Sequence, residues 1–539
     1  MLIKLYQLLA ALTVIALTFP QGLVADDHPN YVRIPLDGMY LTLNPGLSAD
    51  TLSTEIQTQM FVGLTQFDPQ SLKTLPYLAQ KWDVSGDLKE YIFYLRQDCK
   101  WTDGDPVTAH DVVWAVRHNI LPETKSELAN FLYVLKNGEK IHQGEITNIT
   151  KLGVHVIDDY TVEFKLEHPA IYFPAMAAYT PFWPLPKKAI AMHSEKWTEP
   201  ENIVTNGPYK LRGVWKEEQV TILEKNPDYF ESTKVMIPEI QYIVMKPGKA
   251  ITMYEYNEID ILGARYLPIP PEEISRIKTD MKINVEYRRE QSLCTYFYGF
   301  NNEKAPTDDP LVRKAISAAI NRKMIVEEVI RGEDEPAYTF TRPPIFGSVD
   351  PDENIGIRFN PERAREWLAE AGYPDGADFP EFSLVYNTSD LHAKIAQSIK
   401  DQLEEHLYIT ITVKQLPYEQ YMEMLTTTGD ANMFRYTWCA DYPDANNWLM
   451  EQFHPSKSDN IIRWKNPLFA FLVEKAQVIT DAYSRKKLYR RAEQILCEEQ
   501  AAIAPLFYYT NPVMVKSWLD ATIWPLLGNQ IRTWSFKDF

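Results

Sequence analysis

Glycine and cysteine are both scarce in this chain, with 21 glycines and 4 cysteines among 539 residues. The low glycine content is set against 37 prolines, and there are no low-complexity tracts or fixed-period repeats. This favours a rigid, elaborated fold over domains strung on flexible linkers. A chain of this length is expected to hold about three or four domains.

Positive charge is in deficit, because 55 Lys and Arg residues stand against 73 Asp and Glu residues and give a net charge of -18. Nucleic acids and anionic membranes both attract Lys and Arg, so this balance argues against either as a partner. The composition is otherwise that of a soluble globular protein, at 45% hydrophobic and 24% charged residues.

Catalytic motifs are also lacking. The sequence has no Gly-x-Ser-x-Gly nucleophile elbow, no His-Glu-x-x-His zinc motif and no Gly-rich phosphate loop followed by Lys-Ser or Lys-Thr. The adjacent carboxylates Asp308 and Asp309 lie in a helix-cap context and are interpreted as solvated. A scattered triad would leave no such motif, so a hydrolase or peptidase stays an alternative. We expect no catalysis, no cofactor and no metal.

Only the N-terminus has a long apolar run. Lys4 precedes the run from Leu8 to Phe19, which is shorter than the ~20 residues of a membrane span, and Leu23-Val24-Ala25 fits a cleavage site before Asp26. No cysteine follows the run, so no lipid-attachment site is expected. We predict a cleaved signal peptide over residues 1–25 and an exported, soluble mature protein. An uncleaved N-terminal anchor is the alternative.

The most informative segment that is present runs from Met433 to Asp444. If it is extended, the alternation of strand side chains puts four residues on one face: Arg435, Thr437, Cys439 and Asp441. That face has a cation at one end, a carboxylate at the other and small groups between, over at most about 20 Å. A short peptide has the matching ammonium, extended backbone and carboxylate. The segment therefore predicts a docking strand for a peptide of a few residues, with a solvated edge strand as the alternative.

A strand–helix–strand unit is predicted over residues 383–413. Ser383 to Tyr386 is interpreted as a buried strand, apolar residues at helical spacing predict a helix from Leu391 to about Leu407, and Ile409 to Val413 alternate as a second strand. Such a unit implies a parallel pair whose ligands bind at the carboxyl ends of the strands. His392 lies there, at a helix N-terminus that attracts anions. It is a candidate for a carboxylate site, and a solvent-facing histidine is the alternative.

Several motifs in order along the chain resemble those of the periplasmic solute-binding proteins of peptide ABC transporters, family 5, and within it the oligopeptide binders. The similarity covers essentially the whole mature chain. The motifs are Leu78-Ala-Gln-Lys-Trp, Trp101-Thr-Asp-Gly-Asp-Pro-Val-Thr-Ala-His-Asp-Val-Val-Trp, Asn206-Gly-Pro-Tyr, Asp309-Pro-Leu-Val-Arg-Lys-Ala, Tyr386-Asn-Thr-Ser-Asp-Leu-His and Trp438-Cys-Ala-Asp-Tyr-Pro-Asp.

The resemblance implies an α/β, two-lobed periplasmic-binding-protein-like fold (type II, cluster C) with an extra subdomain inserted in the first lobe. Carried over, the first lobe would comprise residues 26–66, 188–291 and 508–539. The inserted subdomain would be residues 67–187, and the second lobe residues 292–507. Two crossing strands would join the lobes, which would close over the ligand.

The resemblance also implies roles for residues. Asp441 falls where the family's aspartate binds the α-ammonium of a peptide. Cys439 and Thr437 fall on the strand that pairs with the peptide backbone. Arg435 and His392 match positions that meet the carboxylate of shorter peptides.

Two further regions acquire roles in this way. Tyr418 falls where an aromatic ring lines a side-chain pocket. Ala49, Asp50 and Thr51 fall on the first lobe's peptide-pairing segment, although Ala49 stands where the oligopeptide binders have an acidic residue. This departure leaves length preference and pocket detail open.

The four cysteines allow three full pairings on sequence alone. The resemblance implies one disulfide, between Cys294 and Cys439. It would leave Cys99 and Cys497 free and buried.

We therefore expect a monomeric periplasmic receptor that binds short peptides by backbone and termini, with little side-chain selectivity, and delivers them to the permease subunits of an ABC importer. Dipeptides, a metal chelate or an oligosaccharide are alternative cargoes, because relatives with this fold vary. Asp441 favours a ligand with a free amine.

Overall fold

The structure is a computed structural model that describes residues 30–47, 50–215, 219–457 and 460–537. The predicted signal peptide, residues 1–25, lies outside the described residues, and its cleavage stays a prediction. Within the described ranges, no helix combines the length and the apolar character that a membrane span requires.

Strands and helices are mixed along the whole chain, as the sequence indicates. The strands are β1 Val32–Leu36, β2 Thr65–Phe67, β3 Thr74–Pro76, β4 Ala79–Val84, β5 Glu90–Leu95, β6 Val154–Asp158, β7 Thr161–Lys165, β8 Tyr209–Trp215, β9 Val220–Lys225, β10 Glu239–Val244, β11 Ile261–Gly263, β12 Tyr287–Phe300, β13 Glu335–Pro336, β14 Phe382–Asn387, β15 Ile411–Leu416, β16 Met433–Cys439, β17 Ile503–Val515, β18 Leu519–Asp520 and β19 Ser535–Phe536. The α-helices are α1 Thr51–Met60, α2 Ala109–Asn119, α3 Gly138–His142, α4 Phe173–Met176, α5 Lys187–His193, α6 Pro247–Glu255, α7 Pro271–Thr279, α8 Pro310–Ala319, α9 Arg322–Met324, α10 Pro361–Glu370, α11 Asp390–Leu407, α12 Tyr418–Glu423, α13 Glu451–Phe453, α14 Pro467–Val478 and α15 Ala482–Gln494.

Two four-stranded sheets organise the first half of the chain. One has the order β1-β10-β9-β8, with β1 parallel to β10, so it joins the start of the described chain to residues 209–244. The other has the order β4-β5-β7-β6 and lies wholly within residues 79–165. That second sheet falls inside the predicted inserted subdomain, residues 67–187.

A seven-stranded sheet has the order β11-β17-β12-β16-β14-β15, with β13 also paired to β17. Its two longest strands, β12 and β17, run antiparallel along most of their length. β17 pairs with β11 near one end of this ribbon, and β12 pairs with β16 near the other. The ribbon therefore connects the two ends of the molecule, in agreement with a two-lobed α/β fold.

The register of the β12–β17 ribbon shifts in its middle. Gln291 pairs with Thr510 and Thr295 pairs with Tyr508, so residues 292–294 lie opposite Tyr509 alone. An irregularity of this kind bends a strand and interrupts its ladder. The predicted lobe boundaries, after residues 291 and 507, fall at this shift, and the boundaries themselves stay a prediction.

The predicted strand–helix–strand unit is confirmed. β14 and β15 are parallel, with Phe382 opposite Ile411 and Asn387 opposite Leu416, and α11 connects them. The helix packs on the sheet through the apolar face predicted from residue spacing. Ile395 and Ile399 on that face are fully buried in a hydrophobic core shared with the strands.

The structure contains a disulfide between Cys294 on β12 and Cys439 on β16. This is the pairing that the resemblance implied, and it cross-links two adjacent strands at directly opposite positions. Cys99 and Cys497 are buried, unpaired thiols.

A buried carboxylate fixes α1 to the C-terminal segment. Glu55 is 1% exposed, and it accepts hydrogen bonds from the hydroxyls of Tyr242 (3.3 Å) and Tyr266 (2.9 Å) and from the backbone N–H of Asn529 (2.8 Å). Burial raises the pKa of Glu55, while Arg265 and these donors lower it. Because Asp50 and Thr51 lie at the start of α1, this network also holds the first-lobe candidate residues.

We expect Glu55→Ala to lower the free energy of unfolding by about 3 kcal/mol, because it leaves three buried donors without their acceptor. Urea denaturation measures the change. Glu405→Ala, at an exposed position on α11, is the control and should stay near the wild type. An unchanged midpoint for Glu55→Ala would contradict a stabilising role for the network.

Candidate ligand-binding site

One edge of β16 is open. β14 pairs with β16 only through Leu384 with Met433 and Val385 with Phe434. Beyond Phe434, no strand among the described residues pairs with this edge. The segment from Arg435 to Cys439 thus keeps a free strand edge on the side that faces away from β12.

The backbone groups on that edge can be identified from the ladder with β12. The N–H of Ala440 donates to the carbonyl of Leu293 at 2.8 Å, and successive residues of a strand direct their N–H and C=O groups to opposite edges. Thr437 and Cys439 therefore direct theirs to the open edge. Arg435 does so as well, although its carbonyl already accepts a hydrogen bond from the hydroxyl of Tyr421.

Asp441 lies beyond this strand. The prediction placed it on one face with Arg435, Thr437 and Cys439, but β16 ends at Cys439 and Asp441 belongs to the turn that follows. Its side chain is held there by Asn447, whose Nδ2 donates to Asp441 Oδ2 at 2.8 Å. The alternation of side chains therefore applies to the residues of β16, and it does not apply to Asp441.

Arg435 and Thr437 share a face, as predicted. Arg435 Nη2 donates to Thr437 Oγ1 at 2.6 Å, and its Nη1 donates to Asn387 Oδ1 at 3.3 Å. The guanidinium carbon also lies 4.9 Å from the centre of the Tyr296 ring. These neighbours are all neutral, so the arrangement leaves a mostly buried cation able to receive an anionic group.

His392 adjoins this cation. It is 9% exposed, so the alternative of a solvent-facing histidine is wrong. Its Nδ1 lies 3.3 Å from the hydroxyl of Tyr296, the ring beneath Arg435. Burial, and secondarily the charge of Arg435, lower the pKa of His392 to about 4. The imidazole is therefore neutral at pH 7 and offers a hydrogen bond without a charge.

The remaining predicted site residues are placed as follows. Tyr418 begins α12 and is 64% exposed. Asp50 is the N-cap of α1, and its Oδ1 accepts from the N–H of Ser53 at 2.8 Å. Thr51 is the first residue of that helix, so neither residue forms a strand. Ala49 lies outside the described residues.

The sequence analysis missed several residues that line the site. Tyr296 contacts His392, Tyr509 Oη lies 3.4 Å from Thr437 Oγ1, and Asn447 binds Asp441. Tyr296 had a signal, because aligning Cys294 with Cys439 on antiparallel strands puts Tyr296 opposite Thr437. No pattern in the local sequence indicated that Tyr509 or Asn447 would line the site.

The described part of the chain contains no group of three or more His, Cys, Asp or Glu side chains arranged to hold a metal ion.

Comparison with known proteins places this chain among solute-binding proteins. A profile of the bacterial extracellular solute-binding proteins, family 5, matches residues 73–460. The chain is 34% identical over 519 residues to the periplasmic oligopeptide-binding protein OppA of Salmonella typhimurium, covering 95% of this chain and 93% of that protein.

Two solved structures show the same fold at 27% identity. The periplasmic murein tripeptide-binding protein MppA in its unliganded open form matches with a TM-score of 0.84, covering 94% of this chain and 98% of MppA. OppA of Haemophilus influenzae in complex with the peptide RPPGFSPFR matches with a TM-score of 0.71, covering 95% of this chain and 100% of that one.

We expect His392 to make the protein sensitive to acid. In the unfolded chain a histidine takes up a proton near pH 6.5, whereas the folded imidazole stays neutral down to about pH 4. Because the folded pKa is depressed, the stability that depends on neutral His392 is present above pH 6.5 and is lost as the pH falls towards 4.

The measurement is the free energy of unfolding in urea at pH 7 and pH 5. His392→Gln should lose less stability between the two values than the wild type. His110→Gln, at a side chain that is 64% exposed, is the control and should follow the wild type. Equal losses in the wild type and His392→Gln would contradict the prediction.

Proposed function

Because this chain belongs to family 5 of the bacterial extracellular solute-binding proteins, we propose that it captures short peptides between its two lobes and delivers them to the permease subunits of an ABC importer. The observation that supports this best is the open edge of β16 between two charged anchors. Arg435 lies at one end of that edge and Asp441 just beyond the other.

In this proposal the peptide adds a strand to the open edge. Thr437 and Cys439 pair with its backbone, which gives affinity without reading side chains. Tyr418 lines a side-chain pocket, and Ala49, Asp50 and Thr51 meet the peptide from the first lobe. Water in roomy pockets can bridge varied side chains almost as well as direct contacts, so the selectivity for side chains is low.

The two termini of the peptide then provide specificity. An ammonium that leaves water needs a charged partner, and Asp441 supplies it. Arg435 receives the carboxylate of a short peptide with help from the neutral imidazole of His392. The lobes close by a hinge motion in which the ligand selects the closed state, and the likeness to an unliganded open form supports this step.

The family is a solute-binding, non-catalytic one, and we propose that this chain likewise performs no catalysis. The relative from Salmonella typhimurium is named as periplasmic. We propose the same compartment here, reached through a cleaved signal peptide and without a lipid anchor. The protein acts as a monomer.

The proposal is tested by calorimetry with trialanine. We expect the wild type to bind and Asp441→Asn to bind more weakly by at least about 2 kcal/mol, the low end for removing one charge of a buried pair. Asp401→Asn, at an exposed site on α11, is the control. Unchanged affinity in Asp441→Asn would reject the ammonium role, and a wild type that binds neither trialanine nor longer peptides would reject the function.

Arg435→Ala should discriminate peptides by length. We expect the affinity for trialanine to fall about tenfold more than the affinity for pentaalanine, because the carboxylate of the longer peptide lies beyond Arg435. Calorimetry with both peptides measures the difference. Arg363→Ala, which removes an exposed arginine paired with Glu366, is the control. Equal losses for the two lengths would remove the carboxylate role.

A further inference from the structure

The carboxylate of Asp441 is not positioned by the sheet. β16 ends at Cys439, and Ala440 makes the last backbone hydrogen bond to the neighbouring strand, through the carbonyl of Leu293. A side chain in the following turn has several rotamers open to it unless other contacts restrict them. The position of Asp441 therefore depends on contacts outside β16.

Asn447 provides those contacts through both ends of its side-chain amide. Its Oδ1 accepts from the backbone N–H of Asp441 at 2.8 Å, and its Nδ2 donates to Asp441 Oδ2 at 2.8 Å. Asn447 is 1% exposed. The two bonds fix both the backbone of Asp441 and the orientation of its carboxylate.

Asn447 lies in the short helical segment Asn446–Met450, and a buried ion pair anchors the start of this segment. The N–H of Asn447 donates to the carbonyl of Asp444 at 3.0 Å. Arg485 on α15 binds the Asp444 carboxylate with two hydrogen bonds, at 2.6 and 2.7 Å, and the hydroxyl of Tyr489 adds a third at 3.3 Å. These side chains are buried. A paired, fully hydrogen-bonded charge of this kind is rigid.

We propose that Asn447 is a positioning residue for ligand recognition, which holds the Asp441 carboxylate where it receives the α-ammonium of a peptide. This inference rests on the proposed function. The hydrogen bonds named above join residues between Leu293 and Tyr489, around the seven-stranded sheet and the helices next to it. These contacts orient the carboxylate without any ligand, so the ligand does not have to order it on binding.

The test compares Asn447→Ala with Asn446→Ala. Asn446 lies in the same helical segment, Asn446–Met450, and is equally buried, but its Nδ2 donates to the hydroxyl of Tyr442 at 2.9 Å. We expect Asn447→Ala to weaken trialanine binding about tenfold, as for loss of a hydrogen bond to a charged group. Asn446→Ala should bind trialanine like the wild type, and both proteins should show similar melting temperatures.

A double-mutant cycle separates positioning from general loss of structure. In an Asp441→Asn background, Asn447→Ala should cause no further loss of affinity beyond about twofold, because its effect passes through the carboxylate that is already gone. Asn447→Leu has a similarly branched shape but makes neither hydrogen bond, and it should repeat the effects of Asn447→Ala. This second variant keeps the test decisive if the alanine variant does not fold.

Three results would overturn the inference while leaving the proposed function intact. These are wild-type affinity in Asn447→Ala, an equal tenfold loss in the Asp441→Asn background, or failure of both Asn447 variants to fold while Asn446→Ala folds. If the wild type binds no short peptide, the proposed function fails, and the inference fails with it. The two failures are therefore distinguished by the wild-type measurement.

Discussion

The antiparallel pairing of β12 with β17 is the constraint on which both lobes depend. These two strands form the centre of the seven-stranded sheet, with β11 at one end of the ribbon and β16 at the other. A continuous ladder resists bending because each step would break hydrogen bonds. The ladder of this ribbon is interrupted at residues 292–294, and its register shifts again between Tyr296 and Phe297. A bend of the ribbon is accommodated most easily at these two places.

The open edge of β16 follows from how its two neighbours differ. β12 accompanies β16 along its whole length, whereas β14 leaves it after Phe434 and leads into α11. Unpaired strand edges promote aggregation unless other groups cover them or a ligand pairs with them. Here Tyr421 covers the carbonyl of Arg435, and charged residues stand at either end. Such an edge suits a ligand that is itself a short strand.

Regular patterns in the sequence predicted the parts of the fold that local periodicity controls. The β14–α11–β15 unit follows from apolar spacing alone, because the buried face of one helix and the alternation of two strands decide it. The role of the first-lobe segment stays a prediction, but its local structure had a signal that was not used. Asp50 and Ser53 form an N-cap, and a capping residue ahead of a helix is a local signal that the motif comparison overlooked.

The roles predicted for the site residues stay predictions, and the geometry of the segment that bears them was predicted in part. Alternation located Arg435 and Thr437 correctly, and it failed for Asp441 because the strand ends two residues earlier. His392 contacts Tyr296, which is distant in sequence and is brought close by the pairing of strands in the sheet. Contacts of this kind depend on tertiary structure, and no window of local sequence contains them.

The two proposed anchors, Arg435 and Asp441, lie on one sheet and the segment that follows it, and under the proposed function this limits how ligand length can act. Arg435 is fixed by the ladder with β12, and Asp441 is fixed by Asn447 and the buried pair of Asp444 with Arg485. The separation of the anchors is therefore set before any ligand arrives, at no more than about 20 Å. A peptide that spans this separation can satisfy both charges, while a longer one must leave its carboxylate to other groups or to water. Under the proposed function, affinity should then depend on the match between peptide length and this fixed distance more than on the total area that the peptide buries.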